Sequence, residues 1–188
     1  MSHAAATVAT VTELRVALLR AVNVGGRNKV PMAVLRAALA EAGFTDVSTY
    51  IQSGNVVFAS PLDDPAAAAV VRSTIAERFD VDTPVIIRTA TQLADAIASH
   101  PWEPGEVDET FHHVVFLADP PPADTIDRLA DKATTEDLAV VGSDLHVRYR
   151  SGVAGTKLDM KVIDGRLATS ATGRNLRTVR AIAELSAG

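Results

Sequence analysis

At 188 residues and 47% hydrophobic, the chain is long and apolar enough to bury a core without covalent staples, and its lack of cysteine excludes disulfides, thiolate metal sites and a cysteine nucleophile. The net charge of −5 is segregated: five basic against three acidic side chains over residues 1–59, five against seventeen over 60–145, and eight against three over 146–188. An acidic chain gains little from non-specific attraction to nucleic acid, no run approaches the roughly 20 apolar residues of a membrane span, and the lack of cysteine fits a reducing cytosol, so a cytoplasmic setting is expected.

Residues 1–12 have neither a basic n-region nor an apolar h-region and read as a flexible tail. Residues 15–22 predict a strand apolar on both faces, Val16, Leu18 and Val22 against Ala17, Leu19 and Ala21, and therefore central in its sheet. A Gly/Asn-rich loop follows at 23–29. A helix is predicted over 32–42, with Pro31 at its start and Gly43 as its stop. Strands at 47–52 and 55–59 turn at Ser53-Gly54, a helix opens at Asp64-Pro65, and 84–89 is a strand. The order β-α-β-β-α-β over 13–89 predicts an α+β fold of the ferredoxin-like plait type.

Residues 90–110 read as a helix over 91–99, with Thr91 as its N-cap, followed by an acidic linker. A second α+β unit is predicted over 111–188. It has a strand at 112–118, a helix at 124–133 and a hairpin turning at Gly142-Ser143, then helices at 156–164 and 175–186. The last strand of a full repeat is expected to be missing or replaced by helix, which makes the second half a degenerate βαββ-helical copy.

In such a plait the first two strands run parallel, so the loop after the first strand and the tip of the hairpin share one edge. That brings Asn23, Gly25, Gly26, Arg27, Asn28 and Lys29 towards Gln52, Ser53 and Asn55, near a helix N-terminus that favours anions. The glycines permit positive φ and close backbone approach, and the side chains supply charge and hydrogen bonds. The alternative is that glycines turn the chain and asparagines cap it. Neither glycine spacing fits a Walker motif or a dinucleotide fingerprint.

Two blocks carry a family resemblance. The first is Leu18-Leu19-Arg20-Ala21-Val22-Asn23-Val24-Gly25-Gly26-Arg27-Asn28-Lys29 with Thr49-Tyr50-Ile51-Gln52-Ser53-Gly54-Asn55. The second is Thr156-Lys157-Leu158 with Ala171-Thr172-Gly173-Arg174-Asn175. The sequence resembles Domain of Unknown Function 1697, which implies a two-part ferredoxin-like fold in a bacterial cytosol and no established activity. The family usually has glycine where this chain has Ala21, and Trp-Asn where it has Leu176-Arg177, so an aromatic contact at Leu176 is not expected. The resemblance adds Lys157, Arg174 and Asn175 to the candidate site, with Asn175 also a natural N-cap. Arg20, beside the loop, completes it.

The histidines predict no metal site. His112 and His113 are neighbours on a strand and face opposite sides, His146 lies on another strand, His100 ends a helix and His3 is in the tail. Ser53 sits at a hairpin tip, not on a nucleophile elbow. With aromatics at 4%, base stacking on the sheet face is disfavoured. The leading expectation is a protein without a cofactor that binds a small phosphate-bearing or nucleotide-like anion at the loop edge. One alternative is a phosphate-handling hydrolase, by analogy with acylphosphatases, with Arg20 or Arg27 on phosphate and Asn55 positioning water. Another is a protein-interaction module using the acidic middle region.

Overall fold

Strand β1 (Leu14–Leu19) is apolar on both faces, and that decides where it sits. In the computed structural model, which describes residues 13–103, 105 and 108–188, its residues 16–19 are completely buried. It lies between β3 (Asn55–Ala59) and β4 (Val85–Thr89), with β2 (Thr45–Tyr50) outside β3. All three pairings are antiparallel, so β1 and β2 run parallel with β3 between them. Helices α1 (Met32–Glu41) and α2 (Asp64–Phe79) cover one face, where Leu35, Leu39, Val71 and Ile75 pack on Ala17, Leu19, Val56 and Phe58. The predicted β-α-β-β-α-β order of this half is the observed one. The N-terminal tail lies outside the described residues.

Helix α3 (Ala90–Ala98) begins earlier than predicted, and Thr91 is inside it. Its cap is Thr89, whose hydroxyl accepts from Gln92 N at 3.1 Å while the Gln92 side chain accepts from Thr89 N at 2.9 Å. This capping box satisfies two helix-end donors at once, which a lone Thr91 cap would not do.

A short 3-10 turn (Glu109–Phe111) leads into β5 (His112–Leu117), α4 (Thr125–Leu129), β6 (Glu136–Val141), β7 (Asp144–Tyr149), α5 (Met160–Leu167), β8 (Ala171–Asn175) and α6 (Leu176–Ser186). The expected loss of the last strand is therefore corrected. β8 pairs with β5 from Ala171↔Leu117 to Asn175↔His113, and the sheet order β6-β7-β5-β8 repeats that of the first half. Ala-Thr-Gly-Arg-Asn has little strand propensity of its own; the ladder to β5 and the buried side chains of Ala171, Thr172 and Arg174 hold it extended. Helix α5 also starts later than predicted, at an Asp159 cap that accepts from Val162 N at 2.8 Å.

The inner faces of the two sheets share one core. Val16, Leu18 and Val57 come from the first sheet, Val114 and Phe116 from the second, and Leu93, Ala96, Leu176, Val179 and Ile182 from α3 and α6. The outer face of the second sheet packs separately, on α4 and α5. No helix among the described residues is long and apolar enough to cross a membrane.

Two arginines repeat one another across this arrangement. Arg174, next to the end of β8, sends Nη2 to the Leu19 carbonyl at 2.7 Å, Nη1 to the Gly173 carbonyl at 2.9 Å and Nε to Asn55 Oδ1 at 2.5 Å. Arg88, in the same place on β4, sends Nη2 to the Leu117 carbonyl at 2.7 Å and to Asp144 Oδ1 at 2.8 Å, and Nη1 to the Ile87 carbonyl at 2.9 Å. Leu19 ends β1 as Leu117 ends β5, and Asn55 opens β3 as Asp144 opens β7. Each half thus pins the other's first strand and hairpin with one buried guanidinium. Desolvation raises the Asp144 carboxyl, against the pull of Arg88. Because Asn55 fills the equivalent position, Asp144→Asn should cost only about 1 kcal/mol. Asp144→Ala, which strands a buried cation, should cost about 3 kcal/mol or more in urea unfolding; equal losses would refute the equivalence.

Candidate functional site

The loop after β1 is built on left-handed backbone. Of the eight residues 21–28, five have positive φ: Ala21 (49°), Asn23 (55°), Gly25 (58°), Gly26 (76°) and Asn28 (48°). Gly25 and Gly26 are the central residues of a tight turn closed by Arg27 N on the Val24 carbonyl at 3.1 Å, and positive φ at both is what such a turn needs. Asparagine tolerates this region through local hydrogen bonds, and both asparagines make them. Asn23 Nδ2 donates to the Val30 and Gln52 carbonyls, each at 2.8 Å, and its Oδ1 accepts from Val30 N at 2.8 Å. Asn28 Nδ2 donates to the Ala21 carbonyl at 3.1 Å. Ala21 has no such compensation, and glycine would hold this φ without strain.

The hairpin tip is equally constrained. Gly54 has φ 77°, and a Cβ on it would lie 2.5 Å from Val22 Cγ2 and 2.7 Å from Leu19 Cβ, so only glycine fits. Asn55 is fully buried, with Oδ1 on Arg174 and Nδ2 donating to the Tyr50 carbonyl and Ser53 Oγ, both at 3.1 Å. The Arg174 guanidinium further reaches the Ser53 and Gly54 carbonyls at 3.1 and 3.2 Å. Its burial pulls its pKa down to about 10, which leaves it charged at neutral pH.

The expected neighbourhood of loop, hairpin and Arg174 therefore exists, joined through Asn23 on Gln52 and Arg174 on the hairpin. Its buried members are spent on holding it together. Arg174 binds carbonyls and Asn55, not the Gly25-Gly26 backbone. Arg20 is ion-paired with Asp164, whose other oxygen accepts from Ala171 N at 2.9 Å. Asn175 caps α6 through Thr178 N at 2.9 Å. Lys157 is exposed beside Leu158 of the second sheet's outer core and is joined to neither loop nor hairpin by a hydrogen bond or ion pair.

Arg27 and Lys29 remain. Both are exposed and have no ion-pair or hydrogen-bond partner for their side chains among the described residues. They lead into α1, whose N-cap is Pro31, with no side-chain cap and no acidic residue in the first turn. By contrast Asp63, Thr89, Asp159 and Asn175 cap α2, α3, α5 and α6. Val24 and Ile51, 61% and 51% exposed, flank the tied loops.

The fold and this glycine-rich edge define a tandem α+β protein with a strained, cationic loop. Residues 13–146 match the family model described as a protein of unknown function, DUF1697, and the chain belongs to that family. It is similar in fold to a solved structure, the conserved bacterial protein SP0830 from Streptococcus pneumoniae. The TM-score is 0.71 at 22% identity, covering 92% of this chain and 98% of that one. No curated protein matches the sequence.

The sequence reading missed a second cluster. His100, at the end of α3, places Nδ1 2.9 Å from His146 Nδ1 and Nε2 2.8 Å from His112 Nδ1. Trp102 lies edge-on to His100 and stacks under the Arg148 guanidinium. Because both His100 nitrogens are engaged by different rings, the three cannot converge on one ion, and no group of three His, Asp or Glu among the described residues is arranged to hold a metal. A neutral His100 carries one N–H, so it donates to one of these two rings and accepts from the other. The only sequence signal was the two-residue alternation that places His112 and Val114 on one face of β5.

Burial holds His146 and His100 down to about 4, with neighbouring histidine charge adding to the effect at His100; burial does the same at His113. The unfolded chain takes up these protons near the ordinary value of about 6.5, so stability is fully present above that and is lost as pH falls towards 4. For completely buried His146 the loss between pH 6.5 and 5 is about 2 kcal/mol, and half-exposed His100 contributes less. Urea midpoints should therefore fall from pH 7 to pH 5, and a flat profile would contradict the cluster.

Proposed function

We propose that the protein binds a small phosphate-bearing anion at the edge formed by the 23–29 loop and the start of α1. The observation that carries this is the uncapped N-terminus of α1. It alone among the helices of eight or more described residues starts without a side-chain cap, and it is led in by the unpaired cations Arg27 and Lys29. The first N–H groups of a helix have no partner within it, and its dipole favours negative charge. Strain concentrated in one loop, stabilised by Asn23 and Asn28, fits a site held ready for a ligand. A nucleotide is the finer form of this reading, with the exposed Gln52 side chain and Val24 available to its base. The bacterial, cytoplasmic setting and the ferredoxin-like designation belong to the same proposal and rest on the family resemblance and the strand order.

The hydrolase alternative is less well supported. Asn55 has no exposed surface and both its polar atoms are engaged, so it cannot position a water, and Arg20 is committed to Asp164. Part of the acidic middle region is also matched within the molecule. Asp82, Glu109, Asp124, Asp131 and Asp137 pair with Arg72, Arg180, Arg128, Arg166 and the Arg148–Arg150 couple.

Exposed charges and one helix end supply modest energies, so affinity for inorganic phosphate should be on the order of millimolar. Titration with phosphate, and then with a nucleoside diphosphate, should shift the backbone amide resonances of Gly25, Gly26 and Ala33 saturably. The Arg27→Ala/Lys29→Ala double variant should weaken this about tenfold with the fold intact. Arg174→Ala cannot serve as the test, because it removes the clamp as well. An absent response, or one unchanged in the double variant, overturns the proposal.

A further inference from the structure

A cavity of about 280 Å³ opens on the outer face of the second sheet, away from the loop edge. His113, Tyr149, Asp159 and Met160 line it, with Val153 and Leu158 as apolar wall. Two of its polar groups are unspent. His113 Nε2 lies 3.1 Å from the Thr110 carbonyl and must donate to it, which fixes the tautomer and leaves Nδ1 an acceptor. Gly173 stands beside that nitrogen: a Cβ there would sit 3.8 Å from Nδ1, so the absent side chain keeps the approach open. Tyr149 is 2% exposed, and its hydroxyl has no hydrogen-bond partner among the described residues. The ring is buried while the hydroxyl opens into the cavity, which leaves it available to an occupant.

The charge of the lining selects that occupant. Burial keeps His113 neutral, and Arg174, behind β8, adds to the same effect. Burial and the nearby carboxylates of Glu136 and Asp159 push the Tyr149 hydroxyl up to about 12. Asp159 spends Oδ1 on Val162 N and retains Oδ2. No cationic side chain lines the cavity; Lys157 is exposed at the rim between two lining residues. We propose that this cavity binds a small primary ammonium compound. Its three N–H donors would be matched to three acceptors, His113 Nδ1, Tyr149 Oη and the Asp159 carboxylate, and its short apolar body would lie against Val153, Leu158 and Met160. This site is independent of the loop edge and selects the opposite charge, so either proposal can fail without the other.

Titration of the full chain at pH 7 with n-butylammonium chloride, n-butanol and butyrate separates the possibilities. Binding is read from the side-chain resonances of His113 and Tyr149. Butylammonium should give saturable shifts at least tenfold tighter than butanol, and butyrate none, since charge-assisted hydrogen bonds favour the ammonium. Asp159→Asn retains the helix cap and removes the charge, and Tyr149→Phe removes only the hydroxyl; each should weaken binding several-fold with the folded spectrum preserved. Equal affinity for butanol or butyrate, affinity unchanged in both variants, or no saturable shift up to tens of millimolar would overturn the proposal.

Discussion

Two buried guanidinium groups cross between the halves, and each closes off the end of the other half's first strand. Arg174 takes the Leu19 carbonyl and Arg88 takes the Leu117 carbonyl, at the same distance and with the same nitrogen. A buried arginine is costly to desolvate and stabilises only when its donors are nearly all matched. Arg174 meets that condition fully, whereas Arg88 leaves Nε without a partner. Asymmetry also shows in the acceptors, since Asn55 is neutral and Asp144 charged. The backbone bonds beside the clamps repeat as well: Arg20 N on the Pro84 carbonyl corresponds to Ala118 N on the Ser170 carbonyl. The molecule is thus a complete internal repeat whose two copies complete each other.

That constraint explains the character of the loop edge. The segment 20–31 is anchored at its root by Arg174, by the Arg20–Asp164 ion pair and by Thr83 Oγ1 donating to the Arg20 carbonyl at 2.6 Å. Left-handed residues there cost on the order of 1–2 kcal/mol each outside glycine, a cost that a loosely held loop would relax away. The equivalent segment after β5 is shorter, proline-rich and acidic, running Ala118-Asp119-Pro120-Pro121-Pro122. The repeat therefore preserved the clamp in both halves and elaborated a glycine- and cation-bearing loop in only one of them.

Much of this was legible in the sequence. The two-faced apolarity of β1 and Asn175 as a cap follow from residue type and spacing, and each is observed; the turn expected at Ser53-Gly54 is instead the four-residue connection 51–54, because β2 ends at Tyr50. β8 was not legible, because its five residues are held extended by tertiary pairing rather than by propensity. Arg174 was expected to reach the 23–29 loop and instead lies against the hairpin and the end of β1, bound there: sequence shows charge, and only burial shows that the charge is consumed internally. The repeat itself held the missing signal. Arg88-Thr89 before α3 and Arg174-Asn175 before α6 are the same arginine-plus-cap pair, and aligning them would have exposed both β8 and the clamp. The histidine cluster draws on three elements distant in sequence and had no local pattern to find.

The central claim is that the reciprocal arginines and the shared α3–α6 core make the halves one cooperative unit. Native-state amide hydrogen exchange tests it most directly, because the strand amides of β1 and β5 report opening of each half separately. If the account is right, the slowest amides of β1 and β5 exchange with the same free energy, and replacing Arg88 or Arg174 by methionine lowers both together. Different opening free energies for the two strands, or a variant that loosens one half alone, would contradict it.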